Sequence, residues 1–264
     1  MSNYRISVLM GIYNCAPTLQ EALDSLYAQT FQDFKIILCD DGSKDETLAI
    51  AERNAKEHPG KVIVIKNERN MGLNHTLNHC LEYADTEYCA RMDGDDISMP
   101  ERFAKEIRFL DEHPKYAVVS TPMIYFDEKG DFRKGKGNGE VKNKDFVLGT
   151  PICHAPSMSR TSVLKAVGGY SVSRKLLRVE DYHLWFKVFA AGHKLFMLDE
   201  CLYKMRDDRN AIARRNWLTR CNEAYVKHIG YKMIGLPWWY QIYSLVPILK
   251  YFVPKWLYSH FHKI

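Results

Sequence analysis

The sequence predicts an α/β protein with a mainly parallel sheet flanked by helices, followed by a C-terminal helical extension rich in aromatic and basic residues. Three observations support this prediction. Short apolar runs alternate with longer helical patterns through the first half of the chain. Acidic residues directly follow two of those runs. After Glu223 the chain contains many aromatic residues and lysines but no acidic residue. We therefore divide it into a main α/β domain, residues 1–223, and an extension, residues 224–264.

The elements follow one another in a β-α rhythm. The first helix shows the pattern clearly, because Leu19, Ala22, Leu23 and Leu26 fall on one face. The predicted strands are residues 6–10, 34–39, 62–66, 87–92 and 117–120. The predicted helices are residues 18–27, 45–57, 73–84, 100–112, 162–167 and 180–191. Residues 134–144, rich in Gly and Lys, are predicted to form a solvated loop.

Composition and charge exclude several classes of protein. The chain has 264 residues, of which 46% are hydrophobic, so it has enough apolar side chains to build a core and is not disordered. The formal net charge of +5 comes entirely from the five lysines after Glu223, because residues 1–223 carry equal numbers of acidic and basic groups. A neutral body argues against nucleic acid as the partner.

The cysteines and the N-terminus favour a cytoplasmic protein. The seven cysteines form an odd set without a Cys-x-x-Cys pair, which disfavours both a disulfide scaffold and a zinc site. The N-terminal apolar run is short and lacks the cleavage pattern of a signal peptide. We therefore expect a cytoplasmic location.

Two groups of carboxylates stand at predicted strand ends. Asp40 and Asp41 end one strand, and Asp93, Asp95 and Asp96 end another. Carboxylates crowded at one edge of a parallel sheet repel one another unless a cation compensates them, and oxygen ligands favour Mg²⁺ or Mn²⁺. Alternatively, such residues serve as turns and helix caps. Because three acids within four residues exceed what a cap needs, we favour a nucleotide and metal site.

Asp181 is a candidate general base near the start of the helix predicted at residues 180–191. The alternative is a first-turn or N-cap acid that interacts favourably with the helix dipole. His154 could line an acceptor pocket, but we interpret it as an ordinary histidine with satisfied hydrogen bonds.

Four motifs in register resemble glycosyltransferase family 2. They are SVLMGIYN at residues 7–14, DDGSKDET at 40–47, NMG at 70–72 and ARMDGDD at 90–96. The resemblance extends over roughly residues 5–206. It implies a GT-A fold and the transfer of a sugar from a nucleotide diphosphate with inversion at the anomeric carbon.

The resemblance also implies a role for individual residues around the nucleotide. Asp41 would contact the base of a uridine nucleotide. Gly11 and Tyr13 would supply backbone and packing around it, and Asp93 would hold the ribose.

The remaining implied roles concern the metal and the chemistry. Asp95, with Asp96 nearby, would bind a metal ion that bridges the diphosphate. Arg206 would approach the diphosphate, and Asp181 would be the base.

These inferences predict an inverting, metal-dependent glycosyltransferase. It would use Mn²⁺ or Mg²⁺ to move a hexose or N-acetylhexosamine from a UDP-sugar to a hydroxyl of a growing lipid-linked surface glycan, as in capsule or cell-envelope polysaccharide synthesis. One alternative is a sugar-phosphate nucleotidyltransferase, but the Gly-rich signature with a Lys that this class needs is absent from residues 5–30. The second alternative is a catalytically inactive, membrane-bound scaffold.

The extension is predicted to dock on the cytoplasmic face of a membrane without crossing it. Aromatic rings and lysines together suit the interface of an anionic bilayer. The uncharged run at residues 233–249 is too short for a span and contains Pro237 and Pro247. The alternatives are packing on the catalytic domain or on a second copy in a homodimer.

Overall fold

A computed structural model describes residues 4–207 and 216–252. Its strands are β1 (Ile6–Ile12), β2 (Phe34–Asp40), β3 (Val62–Lys66), β4 (Tyr88–Arg91), β5 (Ile97–Ser98), β6 (Tyr116–Ser120), β7 (Met123–Asp127), β8 (Gly130–Lys134), β9 (Gly139–Glu140), β10 (Met158–Arg160), β11 (Lys194–Met197) and β12 (Tyr203–Arg206). Its α-helices are α1 (Ala16–Tyr27), α2 (Thr47–Glu57), α3 (Leu73–Glu82), α4 (Arg102–Glu112), α5 (Asp145–Leu148), α6 (Thr161–Ala166), α7 (Glu180–Ala190), α8 (Trp217–Met233) and α9 (Val246–Tyr251). Two 3-10 helices, Arg174–Leu176 and Trp238–Leu245, complete the elements.

The strands form two sheets. The larger has the order β3-β2-β1-β4-β10-β6-β11-β9, in which β3, β2, β1 and β4 run parallel and β10 is antiparallel to both of its neighbours. The smaller has the order β5-β12-β7-β8. This architecture confirms the predicted α/β fold with a mainly parallel sheet flanked by helices.

The core lies on both faces of the larger sheet. Side chains of β1 alternate between the faces, as the two-residue period of a strand requires. Val8 and Met10 pack with α1 and α4, while Leu9 packs with α3 and α7. Because both faces are covered, β1 is a nearly continuous apolar run.

The predicted strands of the first half correspond to β1, β2, β3, β4 and β6. The loop predicted at residues 134–144 is wrong in part, because β8 ends at Lys134 and β9 occupies Gly139–Glu140. The two residues of β9 are held by backbone pairing with β11, with Glu140 opposite Phe196. Such short edge strands carry no hydrophobic period that a sequence could reveal.

The start of the extension belongs to the packed body. Helix α8 runs through residues 223 and 224, where the sequence divides the two predicted domains. Val226 and Tyr231 of this helix are fully buried in the core that contains α7. The extension includes residues 253–264, which lie outside the described residues. Within residues 4–207 and 216–252, no helix combines the length and apolar character needed to cross a membrane.

Candidate active site

The site lies where β1, β2 and β4 end at one edge of the larger sheet. In the parallel register, Ile12 of β1 pairs with Asp40 of β2, and Leu9 of β1 pairs with Arg91 of β4. The segments that follow β2 and β4 therefore leave the sheet on either side of the end of β1. Ligands of open α/β sheets bind at such carboxyl ends.

A cavity of about 210 Å³ opens beside the end of β1. It is lined by Gly11, Ile12, Tyr13, Asp41, Asn70, Gly72, Leu73 and Thr76. Gly11 allows β1 and α3 to approach closely here, because a Cβ on this residue would lie 3.1 Å from Thr76 Cγ2. The structure therefore brings together the three residues expected around the base of the nucleotide, Gly11, Tyr13 and Asp41.

The two neighbouring acids after β2 have different partners. Asp40 Oδ2 accepts hydrogen bonds from the backbone N–H groups of Gly42 and Ser43, both at 3.1 Å, which is ordinary turn chemistry. Asp41 lines the cavity instead. Its Oδ1 accepts from the backbone N–H of Met71 at 2.8 Å, and its Oδ2 accepts from that of Gly72 at 2.9 Å.

Asp93, Asp95 and Asp96 converge on one turn, with ligand oxygens within 4.8 Å of one another. Asp96 is buried, and loss of hydration followed by the charges of Asp93 and Asp95 raises its pKa well above the usual value. Three hard oxygen donors on one turn fit a divalent ion such as Mg²⁺ or Mn²⁺. A Cβ at Gly94 would lie 2.8 Å from Cys15 Sγ, so a larger residue here would displace the Cys15 side chain.

Strand β12 of the smaller sheet holds this acidic turn in place. The backbone N–H of Arg206 donates to Asp96 Oδ1 at 2.8 Å, and Arg206 Nε donates to the carbonyl of Asp95 at 2.9 Å. The hydroxyl of buried Tyr203 accepts from the backbone N–H of Asp93 at 3.2 Å. Arg206 therefore lies against the acid cluster, and its guanidinium also pairs with Glu21. Sequence reasoning missed Tyr203, which carries no motif of its own.

Arg91 is a second residue that sequence reasoning missed. Its guanidinium, 5% exposed, forms an ion pair with Asp93. This pairing reduces the repulsion within the acid cluster. In the sequence, Arg91 could have been noticed because it stands two residues before the first acid of the motif. The charge of Arg91 also lowers the pKa values of Glu180 and Asp181, although other effects outweigh it there. The buried Arg91 therefore interacts electrostatically with both the acid cluster and the pair Glu180 and Asp181.

Asp181 lies in the first turn of α7, whose N-cap is Val179. Burial, and after it the charge of Glu180, raises the pKa of Asp181 to about 6. Burial also raises the pKa of Glu180. A carboxylate with this pKa is unprotonated at neutral pH yet more basic than an exposed aspartate, which suits a general base. Its position in the first turn also fits the alternative that Asp181 is an acid that interacts favourably with the helix dipole.

His154 is a half-buried histidine with a hydrogen-bond partner, in agreement with its interpretation as an ordinary histidine. Its Nε2 and the hydroxyl of Tyr170 are 2.7 Å apart, and its ring lies 6.0 Å from that of Trp185. Burial lowers its pKa well below the usual value.

The fold and this edge of the sheet define a GT-A glycosyltransferase. The sequence model described as Glycosyl transferase family 2 matches residues 7–168, and the chain belongs to that family. It is 38% identical to EpsE of Bacillus subtilis over 263 residues, covering 99% of this chain and 94% of that protein. It is also 33% identical over 218 residues to the amylovoran biosynthesis glycosyltransferase AmsE of Erwinia amylovora, covering 80% of each.

Solved structures show the same fold. TarS of S. aureus (residues 1–349) in complex with UDP-GlcNAc superposes with a TM-score of 0.68 at 20% identity, covering 87% of this chain and 70% of that one. The mannosyltransferase PcManGT of Pyrobaculum calidifontis, in complex with GDP-Man and Mn²⁺, gives 0.63 at 19% identity, covering 93% and 74%. The family predicted from the four motifs is confirmed, and the protein is a glycosyltransferase enzyme.

Proposed function

We propose that this enzyme moves a hexose or N-acetylhexosamine from a UDP-sugar to a hydroxyl of a growing lipid-linked glycan, with inversion at the anomeric carbon. One observation carries the proposal. A cavity of about 210 Å³ lined by Asp41 and an acid cluster able to hold a divalent ion lie at the carboxyl ends of neighbouring parallel strands, and the basic carboxylate Asp181 interacts electrostatically with Arg91, which pairs with that cluster.

The named relatives support the substrate classes. TarS has been crystallised with UDP-GlcNAc. A relative in Escherichia coli, 26% identical over 189 residues, is named as a glucosyltransferase that uses UDP-Glc and a GlcNAc-diphosphoundecaprenol. AmsE is named for amylovoran biosynthesis. A role in capsule or other cell-envelope polysaccharide synthesis follows from this proposal.

The donor would lie with its base beside Asp41, packed by Gly11 and Tyr13. Asp93 would bind the ribose, and Arg206 would approach the diphosphate. The position of Arg206 against the acid cluster supports this last role, because a cation there stabilises negative charge on the departing diphosphate.

Asp95 and Asp96 would hold Mn²⁺ or Mg²⁺. A bound divalent ion supplies Lewis-acid stabilisation of the leaving diphosphate. Asp95 is the freer ligand of the two because its side chain is exposed, whereas one oxygen of Asp96 already accepts from Arg206.

Asp181 would act on the acceptor. As the acceptor oxygen forms its bond to the anomeric carbon, the bond from that carbon to the diphosphate oxygen breaks, and the acceptor hydroxyl proton passes to a carboxylate oxygen of Asp181. Attack from the face opposite the leaving group inverts the configuration and needs no covalent enzyme intermediate.

Release of UDP tests the proposal. Purified enzyme is incubated with a panel of UDP-sugars, Mn²⁺ and a lipid-linked glycan acceptor, and UDP and the extended product are measured. We expect one donor to yield UDP and product in equal amounts. The absence of both with every donor would favour a scaffold, whereas formation of a nucleotide-sugar from a sugar phosphate and UTP would favour a nucleotidyltransferase.

We further propose that residues 224–264 bind an anionic lipid surface on the cytoplasmic face of the membrane. Several apolar side chains of the described part are exposed: Trp238 (80%), Trp239 (55%), Ile242 (68%), Leu249 (63%) and Phe252 (70%). Lys232 precedes them and Lys250 lies among them, and no acidic residue follows Glu223. This combination complements anionic headgroups above an apolar interior. All seven cysteines are unpaired, as in cytoplasmic proteins.

Helix α8, which leads into the extension, contacts the segment that precedes Asp181 in the chain. Asn222 Nδ2 on α8 donates to the carbonyl groups of Arg174 and Leu177, both at 3.1 Å. Leu177 precedes Asp181 by four residues. The helix that leads into the extension is therefore bonded to the segment that precedes α7 and Asp181.

A further inference from the structure

Asn67 connects three elements around Asp41. It directly follows β3, and its backbone N–H donates to the carbonyl of Asp40 at 2.9 Å. Its side-chain Nδ2 donates to Asp41 Oδ1 at 2.8 Å and to Thr76 Oγ1 of α3 at 3.0 Å. Its Oδ1 lies 2.9 Å from Nδ1 of His79, also on α3. Every polar group of this amide therefore has a partner.

The Asp41 carboxylate determines which end of the amide faces it. A carboxylate can only accept, so the NH₂ group of Asn67 is directed to Asp41 and its oxygen to His79. His79 must then carry its proton on Nδ1 and donate to that oxygen. Turned the other way, the amide would place two acceptors, its own oxygen and the carboxylate, against each other.

The donors around Asp41 leave little of its carboxylate free. A carboxylate offers about four acceptor positions. Among the described residues, Asn67 and the backbone N–H of Met71 occupy two on Oδ1, and the N–H of Gly72 occupies one on Oδ2. One acceptor position, on Oδ2, therefore remains for a ligand in the 210 Å³ cavity that Asp41 lines.

We propose that Asn67 is a positioning residue for the nucleotide base, acting through Asp41. It holds the carboxylate so that the remaining acceptor position meets an N–H group of the base. Uracil presents such a donor at N3, whereas cytosine presents an acceptor at the same atom, so the arrangement selects UDP against CDP. This inference rests on the proposed function, because it takes the cavity to be the base site of the donor.

Two variants of Asn67 test the proposal. Calorimetry measures the binding of UDP and CDP, and steady-state kinetics measure kcat and the KM for the donor. Asn67→Leu keeps the size of the side chain and removes its hydrogen bonds. We expect UDP binding to weaken about 10-fold, as for loss of a hydrogen bond to a charged group, and the preference for UDP over CDP to shrink. The donor KM should rise while kcat at saturating donor stays close to the wild-type value.

Asn67→Asp gives a readout that a merely structural role would not produce. At neutral pH it places a second carboxylate against Asp41, and UDP binding should weaken. Two carboxylates sharing a site take up one proton as the pH falls, and this proton restores a donor towards Asp41. UDP affinity should therefore rise on acidification in this variant and not in the wild type. The other titratable groups facing Asn67 are His79, Cys39 and Asp40, and they are the same in both proteins.

Asn54→Leu is the matched control. Asn54 is a buried amide on α2 that bonds Tyr27 and Gln20, away from the cavity, so UDP affinity should be kept even where stability falls. Wild-type affinity for UDP in Asn67→Leu would overturn the inference and leave the proposed function intact. Failure of the wild-type protein to bind UDP would overturn the proposed function itself. If Asn67→Leu does not fold, the pH series of Asn67→Asp decides.

Discussion

The backbone N–H of Arg206 donates a hydrogen bond to Asp96 Oδ1 at 2.8 Å, which fixes the end of β12 against the acidic turn that follows β4. The bond joins the smaller sheet to the larger one at the candidate active site. It also separates the roles of neighbouring acids, because Asp96 is buried and engaged while Asp95 is exposed. The clearest test of the metal site is therefore a change at Asp95.

Asp95→Ala should abolish sugar transfer and the metal-dependent part of donor affinity. The exposed carboxylate is a direct ligand in the proposed site, and its loss leaves two acids, one of which is engaged by β12. We expect Mn²⁺ to raise the Tm and the UDP affinity of the wild type and to change neither in the variant. Asp131→Ala, which removes an exposed acid paired with Lys204, is the control and should respond to Mn²⁺ as the wild type does. Near wild-type turnover of Asp95→Ala in chelated buffer would remove the metal from the mechanism.

Asp181→Asn should lower kcat by about 10²–10⁴, the usual effect of removing a general base. UDP binding should be unchanged, because Asp181 acts on the acceptor and not on the nucleotide. Single-turnover transfer and UDP calorimetry measure the two effects separately. Glu180→Gln, next along α7, should retain much more activity. If Asp181→Asn kept the full rate and Glu180→Gln lost it, the base would be Glu180.

The pH dependence of kcat should show an acid limb near pH 6. Burial and the charge of Glu180 raise the pKa of Asp181 to about 6, so the carboxylate becomes protonated as the pH falls through that value. Protonated Asp181 cannot accept the acceptor proton, and the rate falls at low pH and reaches a plateau above about pH 7. Measuring kcat from pH 5 to 8 at saturating substrates tests this. A rate independent of pH across that range would show that Asp181 does not titrate in the rate-determining step.

Loss of exposed apolar side chains from the extension should release the protein from anionic vesicles. The double substitution of Trp238→Ser and Ile242→Ser removes two of the most exposed apolar side chains. It leaves the buried Tyr231 and the packing of α8 intact. Co-sedimentation with phosphatidylglycerol vesicles should fall several-fold, and binding of the wild type should weaken with salt, because each lysine near the surface contributes about 1 kcal/mol.

Tyr83→Ser is the control for that experiment. Tyr83 is an exposed aromatic residue at the end of α3, outside the extension, and its loss should leave vesicle binding unchanged. If the wild type ignores anionic vesicles even at low salt and sediments as a dimer, the exposed face of the extension is a contact between two copies.

The sequence by itself determined the fold class, the family and the placement of the main acids. Asp41 and Asp95 each follow an apolar run, and parallel strands necessarily end at one edge of a sheet, so their approach could be inferred without coordinates. Four motifs in register then identified the family. These features are local in the chain, and a linear pattern can therefore report them.

Only the tertiary structure decided which distant residues complete the site. The family resemblance implied a place for Arg206 near the diphosphate, but it did not reveal Tyr203. Both residues reach the acidic turn because β12, a strand of four residues without a marked period, pairs with β5 and β7 in a separate sheet. Asn67 contacts both Asp41 and His79, and His79 is twelve residues away on a helix. In the extension, Tyr231 is buried and Trp238 is exposed, although both lie in the same segment rich in aromatic and basic residues. Composition reports what a segment contains, whereas burial depends on how α8 packs against the body, and that packing is a property of the whole fold.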